Sequence, residues 1–76
     1  MGILEQLRGL GFRLEDGNRR FELSVQCRKI LARCRANDES QLLQFSVVKG
    51  KLKAKQIPSE EAANMGVPGF FVRRVA

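Results

Sequence analysis

Lysine occupies every second position from residue 49 to residue 55, in the run Lys-Gly-Lys-Leu-Lys-Ala-Lys. Successive side chains of a β-strand point to opposite faces, so on a strand Lys49, Lys51, Lys53 and Lys55 would all project from one side. Lysine is a flexible point charge that suits phosphate groups, and the spacing therefore predicts a cationic strand that follows a polyanion. The alternative is that these lysines protect an exposed sheet edge from aggregation, although that role explains one or two lysines better than four.

A second basic stretch runs from residue 28 to residue 35 and contains no acidic residue. On a helix, Arg28, Lys29, Arg33 and Arg35 would flank the inner face and lie along a nucleic-acid backbone. The alternative is an ordinary solvated face whose long aliphatic stems cover the edges of the core. Two basic segments in so short a chain favour the binding role.

A third basic spot lies near the end of the sequence, where Arg73 and Arg74 follow Phe70 and Phe71. Phenylalanines on a strand beside arginines can stack against unpaired bases. The alternative is that at least one of these phenylalanines belongs to the core. We include the two arginines among the expected binding residues.

The residue content does not indicate an enzyme. The chain has no histidine, the commonest general base near neutral pH, and no glycine loop of the kind that cradles phosphates. On one helix Cys27 and Cys34 would lie about 10.5 Å apart, too far for a disulfide, and the further ligands of a zinc site are missing. We expect both cysteines to be small buried hydrophobic residues, and we expect no cofactor.

Composition limits the class of partner. A formal net charge of +6, from 14 basic and 8 acidic residues, favours DNA, RNA or an acidic protein surface. We expect residues 1–76 to form one compact domain. Because a chain this short is marginally stable as a monomer, a homodimer is the alternative to a monomer. No apolar run approaches the roughly 20 residues of a membrane span, and the first residues lack a signal-peptide pattern. A cytoplasmic protein without a membrane partner is therefore expected.

The first half of the chain predicts a helix, a hairpin and a second helix. Apolar residues recur on one face over residues 2–10, and Gly11 is expected to end that helix in a left-handed conformation. Residues 12–23 predict a hairpin around a four-residue loop, because apolar residues would pair on one side and opposite charges on the other. Within residues 24–36, apolar residues recur at both strand and helix spacing. We expect a helix over residues 25–36, with a strand as the alternative.

The ends of that second helix are expected at Ser24, as N-cap, and at Asn37, as terminator. A second hairpin is predicted over residues 42–57, with apolar residues on one face and lysines on the other. Its tip would be Lys49-Gly50, or a bulged three-residue loop around Gly50.

A short helix over residues 59–65, with Ser59 as N-cap, and a last strand over residues 70–75 complete the prediction. The fold class is then α+β, in the order α-β-β-α-β-β-α-β, with antiparallel hairpins packed against short helices.

One known family offers a partial likeness. The residues Ile3 to Leu14, followed by Asp-Gly-Asn at 16–18 and Phe-Glu-Leu at 21–23, resemble the opening helix and hairpin of the β-hairpin docking domains of modular peptide and polyketide synthetases. The likeness covers about a quarter of the chain and ends at Ser24. It implies a basic hairpin that holds an acidic peptide tail.

Two functions follow from the sequence. The first is a small, non-enzymatic protein that contacts nucleic-acid phosphates through a lysine-bearing strand and a basic helix. The second is a docking or inhibitor module of the accessory-protein type, which would bind an acidic surface or peptide of a larger partner.

Overall fold

The computed structural model of the chain describes residues 2–36, 39–66 and 68–75. Within them the chain forms three helices that are interleaved with the strands of one sheet. The α+β class is thus confirmed, and the order of elements differs from the expected one by an exchange of the third and fourth. The elements are α1 (Ile3–Gly9), β1 (Phe12–Leu14), α2 (Asn18–Cys27), β2 (Ile30–Ala36), β3 (Glu39–Val48), β4 (Lys51–Ile57), α3 (Ser59–Ala62) and β5 (Phe70–Arg74).

The sheet has five strands in the order β1-β5-β2-β3-β4, so that β1 and β4 form its edges. Neighbouring strands are antiparallel, except for β2 and β5, which run parallel. β5 is the last strand in sequence but lies between β1 and β2 in space. Pairing across β5 therefore brings together residues from the beginning, the middle and the end of the sequence.

One face of the sheet, here called the helix face, packs against α1 and α2 and forms the hydrophobic core. Leu7 of α1 and Val25 of α2 are both buried there. The ring of Phe45 meets the rings of Phe12 and Phe21 edge to face, at centroid distances of 5.8 and 5.5 Å. Such aromatic pairs stabilise a core by about 0.5–1.5 kcal/mol beyond the effect of burial alone. The opposite side of the sheet is called the open face.

The hairpin of β3 and β4 forms with the expected register, in which Val47 is opposite Leu52 and every other expected pairing is present. Its tip is Lys49-Gly50, and the φ angles of these residues, 52° and 77°, are both left-handed. A two-residue turn with positive φ at both positions has the twist that antiparallel strands require. The two-residue tip is therefore the one that forms, and it places Lys49 outside the strand.

The expected hairpin over residues 12–23 is wrong. β1 is three residues long and pairs with β5, and the chain then enters α2 after Gly17, whose φ is 71°. Phe21 and Val25 are one helical turn apart and both reach the core, whereas Leu23 between them is 60% exposed. The hairpin implied by the likeness to docking domains is therefore not formed at these positions.

The expected helix over residues 25–36 is also wrong for most of its length, because α2 ends at Cys27 and β2 follows. Ser24, expected as an N-cap, lies inside α2, where its carbonyl accepts the backbone N–H of Arg28 at 3.1 Å. Cys34 is buried as expected, whereas Cys27 is exposed. The strand alternative is correct from residue 30 onward, and it changes which basic side chains share a face.

The remaining elements follow the predictions with shorter bounds. Gly11 follows Leu10, the C-cap of α1, and has a left-handed φ of 94°, as expected. α3 is one turn long rather than spanning residues 59–65, and its N-cap is Pro58 rather than Ser59. Asn37, the expected helix terminator, lies outside the described residues. None of the helices in the described part of the chain is long and apolar enough to cross a membrane.

Candidate nucleic-acid interface

Three arginines lie side by side on the open face, on three neighbouring strands. Arg13 of β1 is paired with Arg73 of β5, and Arg73 is in turn paired with Arg35 of β2. Paired residues of neighbouring strands project from the same face of a sheet, and all three side chains are exposed. Like charges directly opposite each other on neighbouring strands are destabilising. We therefore expect the arginine row to lower the stability of the fold when no anion is bound.

One carboxylate partly neutralises the arginine row. Nε of Arg73 donates a hydrogen bond to Oε1 of Glu15 at 3.0 Å, and the two groups form the one ion pair among the described residues. The side chain of Arg73 is 73% exposed and that of Glu15 is 40% exposed, so water screens their attraction. Among the side chains that the structure describes, three guanidinium groups face one carboxylate here, and an excess of positive charge remains.

Beside the row, Phe71 of β5 is paired with Arg33 of β2, and both project from the open face. Phe71 is 47% exposed, whereas Phe70 is 6% exposed and belongs to the core, so the expectation that one of the two is a core residue is confirmed. Nη1 of Arg33 donates a hydrogen bond to Oγ of Ser40 at 2.7 Å, which orients its guanidinium group. A concavity of about 200 Å³ lies here, lined by Glu15, Arg33, Arg35, Phe71 and Val72.

Three of the four lysines between residues 49 and 55 form a ladder along β4. Lys51, Lys53 and Lys55 are exposed and are paired with open-face residues of β3. Residues on one face of a strand are about 6.7 Å apart, so three ammonium groups follow one another along this edge of the sheet. Lys49 lies at the turn and does not extend the ladder.

β3 connects the arginines to the lysine ladder. Gln44 of β3 lies in one row between Leu31 of β2 and Lys55 of β4. Lys55 is two strand spacings and one same-face step from Arg33, which places their Cα atoms about 12 Å apart on an ideal sheet. The two groups of basic residues are therefore parts of one surface rather than separate sites.

One corner of the open face is covered by α3. Leu42 and Ile57 project from the open face by their register, yet both are buried and neither belongs to the main core. α3 packs on β3 beside them and has Glu60 and Glu61 exposed on its first turn. The surface that is left uncovered, here called the basic open face, contains Arg13, Arg33, Arg35, Lys51, Lys53, Lys55, Phe71 and Arg73.

Arg74, one of the expected binding residues, lies on the helix face rather than on the open face. It alternates with Arg73 along β5 and therefore projects from the helix face. Its guanidinium carbon lies 5.0 Å from the centre of the Phe12 ring, and its Nη2 donates a hydrogen bond to Oε1 of Gln41 at 3.1 Å. Three other expected binding residues lie in the connections between elements rather than on a strand. They are Arg28, Lys29 and Lys49, and all of them are exposed.

Two residues of the basic open face were not among the expected binding residues. Arg13 lies between two core residues in the sequence, and this alternation alone places it on the face opposite the core. Its position next to Arg73 depends on the pairing of β1 with β5, which no local pattern shows. The sequence suggests base stacking for Phe70 and Phe71 alike, and it does not show which of the two faces the core.

The described residues contain no group of three or more His, Cys, Asp or Glu side chains that could hold a metal ion. Comparisons of the chain with protein-family models, with curated proteins and with solved structures gave no match. The basic open face is therefore the feature of this chain that indicates a function.

Proposed function

We propose that this chain is a small, non-enzymatic nucleic-acid-binding protein whose basic open face contacts phosphate groups. The observation that carries the proposal is the row of Arg13, Arg73 and Arg35. A row of like charges lowers stability when it has no anion to bind, and phosphates would remove that repulsion.

Protection of a sheet edge does not account for this surface. That role applies to edge strands, where charged side chains block pairing with another chain. β4 is an edge strand, so its lysines fit both roles, but β2 and β5 are interior strands. Arg33, Arg35 and Arg73 therefore need a different explanation, and contact with a polyanion supplies one.

The proposal also replaces the basic helix that the sequence suggested. Arg33 and Arg35 act from a strand, on the same face as the lysine ladder, and the contact surface is a sheet rather than a helix in a groove. Arginine binds phosphate with a planar fork of donors and lysine binds it as a point charge, so the two groups contribute differently to one surface. We propose the cytoplasm as the compartment, on the ground that both cysteines are unpaired.

Fluorescence anisotropy of labelled RNA and DNA, measured over a series of salt concentrations, tests the proposal. The variant K53Q/K55Q should bind more weakly, and the slope of log affinity against log salt should fall by about 0.7–0.9 for each lost phosphate contact. The matched control R8Q/R19Q removes the same charge from exposed positions of α1 and α2. If both variants weaken binding equally, net charge alone explains the affinity and the proposed face is wrong.

The second candidate is a docking module for an acidic protein, and the edge position of β4 favours it. The outward backbone groups at the turn end of this edge are already engaged by α1. Oε1 of Gln6 accepts the backbone N–H of Leu52 at 2.8 Å, and its Nε2 donates to the carbonyl of Gly50 at 3.0 Å. An added strand would have to pair beyond Leu52. A pull-down that recovers one protein after nuclease treatment would favour this candidate over the first.

A further inference from the structure

We infer that the nucleic acid is single-stranded, and that Phe71 stacks against an unpaired base while the neighbouring arginines hold the adjoining phosphates. The inference rests on the proposed function and names the substrate class of the same surface. Its basis is the position of one aromatic ring among the guanidinium groups of Arg33, Arg35 and Arg73.

Phe71 differs from the other phenylalanines in what its ring contacts. The rings of Phe12, Phe21, Phe45 and Phe70 are buried and pair edge to face with one another on the helix face. Phe71 belongs to the same strand as Phe70 but projects from the open face, where it is 47% exposed. The core therefore does not explain Phe71, and its exposed ring presents a flat apolar surface of the kind on which a base can stack.

The side chains around Phe71 supply the other half of nucleotide recognition. Arg33 is its register partner, and Arg73 follows it on the same face with Arg35 beside it. A nucleotide presents a flat base and a phosphate within one repeat, so a ring flanked by cations matches both parts. The Glu15 carboxylate lines the same concavity and is an acceptor that can face the amino group of a base.

A double helix does not fit this arrangement. In a duplex the flat faces of the bases are covered by their neighbours, so a ring on the open face of a sheet would meet only the phosphate backbone and the groove edges. Aromatic side chains on exposed sheets bind bases that are unstacked and splayed out, as in single strands and loops. Duplex binding would use the arginines and lysines and leave Phe71 without a role.

The test uses three end-labelled probes of about 10 nucleotides, a length within the usual site sizes of single-strand-binding domains. The first is a single-stranded RNA, the second is an oligonucleotide of the same length without bases, and the third is a duplex of the same sequence. The abasic probe keeps the phosphates, so it separates stacking from charge. Binding is measured by anisotropy near 0.15 M salt for the natural chain and for F71A, F71W and L23A.

We expect F71A to bind the single-stranded RNA roughly 5- to 100-fold more weakly than the natural chain, because stacking on one base is worth that much. Its affinity for the abasic probe and the duplex, and its salt slope, should not change. F71W should keep the affinity of the natural chain. The matched control L23A also removes an exposed hydrophobic side chain, 60% exposed on α2, and should bind normally.

Two outcomes overturn the inference, and they are distinguishable. If F71A and the natural chain bind the single strand equally while K53Q/K55Q binds weakly, the proposed function holds and stacking by Phe71 is wrong. If the natural chain binds none of the three probes, the proposed function fails and the inference fails with it.

Discussion

At the scale of single residues, the arginine row should oppose folding in the absence of an anion. Replacing Arg35 by Gln removes one of the like charges opposite Arg73, so R35Q should raise the free energy of unfolding by about 0.2–1 kcal/mol at low salt. The gain should shrink as salt is added, because salt screens exposed charges. Urea denaturation at two salt concentrations measures it, with R19Q on α2 as the control. Equal destabilisation of R35Q at both concentrations would contradict the account.

Phe70 and Phe71 allow a comparison between two adjacent residues of the same type. F70A should lower the free energy of unfolding by about 3–5 kcal/mol, since it leaves a cavity among buried aromatic rings. F71A should lower it by less than about 1 kcal/mol, because substitutions at exposed positions have small effects on stability. Thermal or urea unfolding followed by circular dichroism distinguishes the two. Similar losses for both variants would mean that Phe71 is a packing residue and not a binding residue.

Glu15 is the acidic side chain that borders the arginine row in the described part of the chain. E15Q should change the free energy of unfolding by less than about 1 kcal/mol, because its ion pair with Arg73 is exposed. It should raise affinity for the abasic probe by about twofold, the effect of removing one negative charge roughly 10 Å from a phosphate in water. Anisotropy at low salt measures the change. Weaker binding by E15Q would show that the carboxylate holds Arg73 in its binding position.

At the scale of elements, the tip of the β3–β4 hairpin tests the local geometry. Gly50 has a φ of 77°, so G50A should lower the free energy of unfolding by about 1–2 kcal/mol. K49N should be neutral or stabilising, because asparagine tolerates the left-handed φ of 52° better than lysine does. Because Lys49 lies outside the ladder, K49N should also bind nucleic acid nearly as well as the natural chain. Urea midpoints and anisotropy check the two expectations.

The same hairpin shows which elements could be predicted from the sequence. β3 and β4 have matching alternation of apolar and polar residues, and the turn residues lie between them. The register of this hairpin could therefore be predicted from one continuous segment of the sequence. β1 has its partner in β5, at the other end of the sequence. Because the sequence does not show that partner, the nearest apolar run resembles the second arm of a hairpin. The side chains of Phe21 and Val25 are instead buried together because they are one helical turn apart.

The sequence predicts that basic residues form the candidate site, but it does not predict how the strands place these residues relative to one another. Lys51, Lys53 and Lys55 could be placed on one face because strand alternation is a local rule. Alternation also requires Arg73 and Arg74 to face opposite sides, and this would have removed Arg74 from the site. The arginine row itself needs three strands in register, and only the fold provides that.

Across the whole sheet, we expect the arginines and lysines to act as one binding surface. One strand of nucleic acid should contact both groups, so combining R35Q with K53Q should reduce the salt slope by the sum of the two single effects, about 1.4 units for a single strand. The anisotropy titrations over salt give all three slopes. A double variant no different from R35Q alone would show that the lysine ladder lies outside the contact.

Binding of nucleic acid to the open face can be followed residue by residue in an NMR titration of the arginine side chains with single-stranded RNA. The Nε–H signals of Arg13, Arg33, Arg35 and Arg73 should shift in proportion to the RNA added. Those of Arg8 and Arg19, exposed on the helices, and of Arg74, on the helix face, should stay in place. Shifts confined to Arg8 and Arg19, or equal shifts at every arginine, would contradict the account.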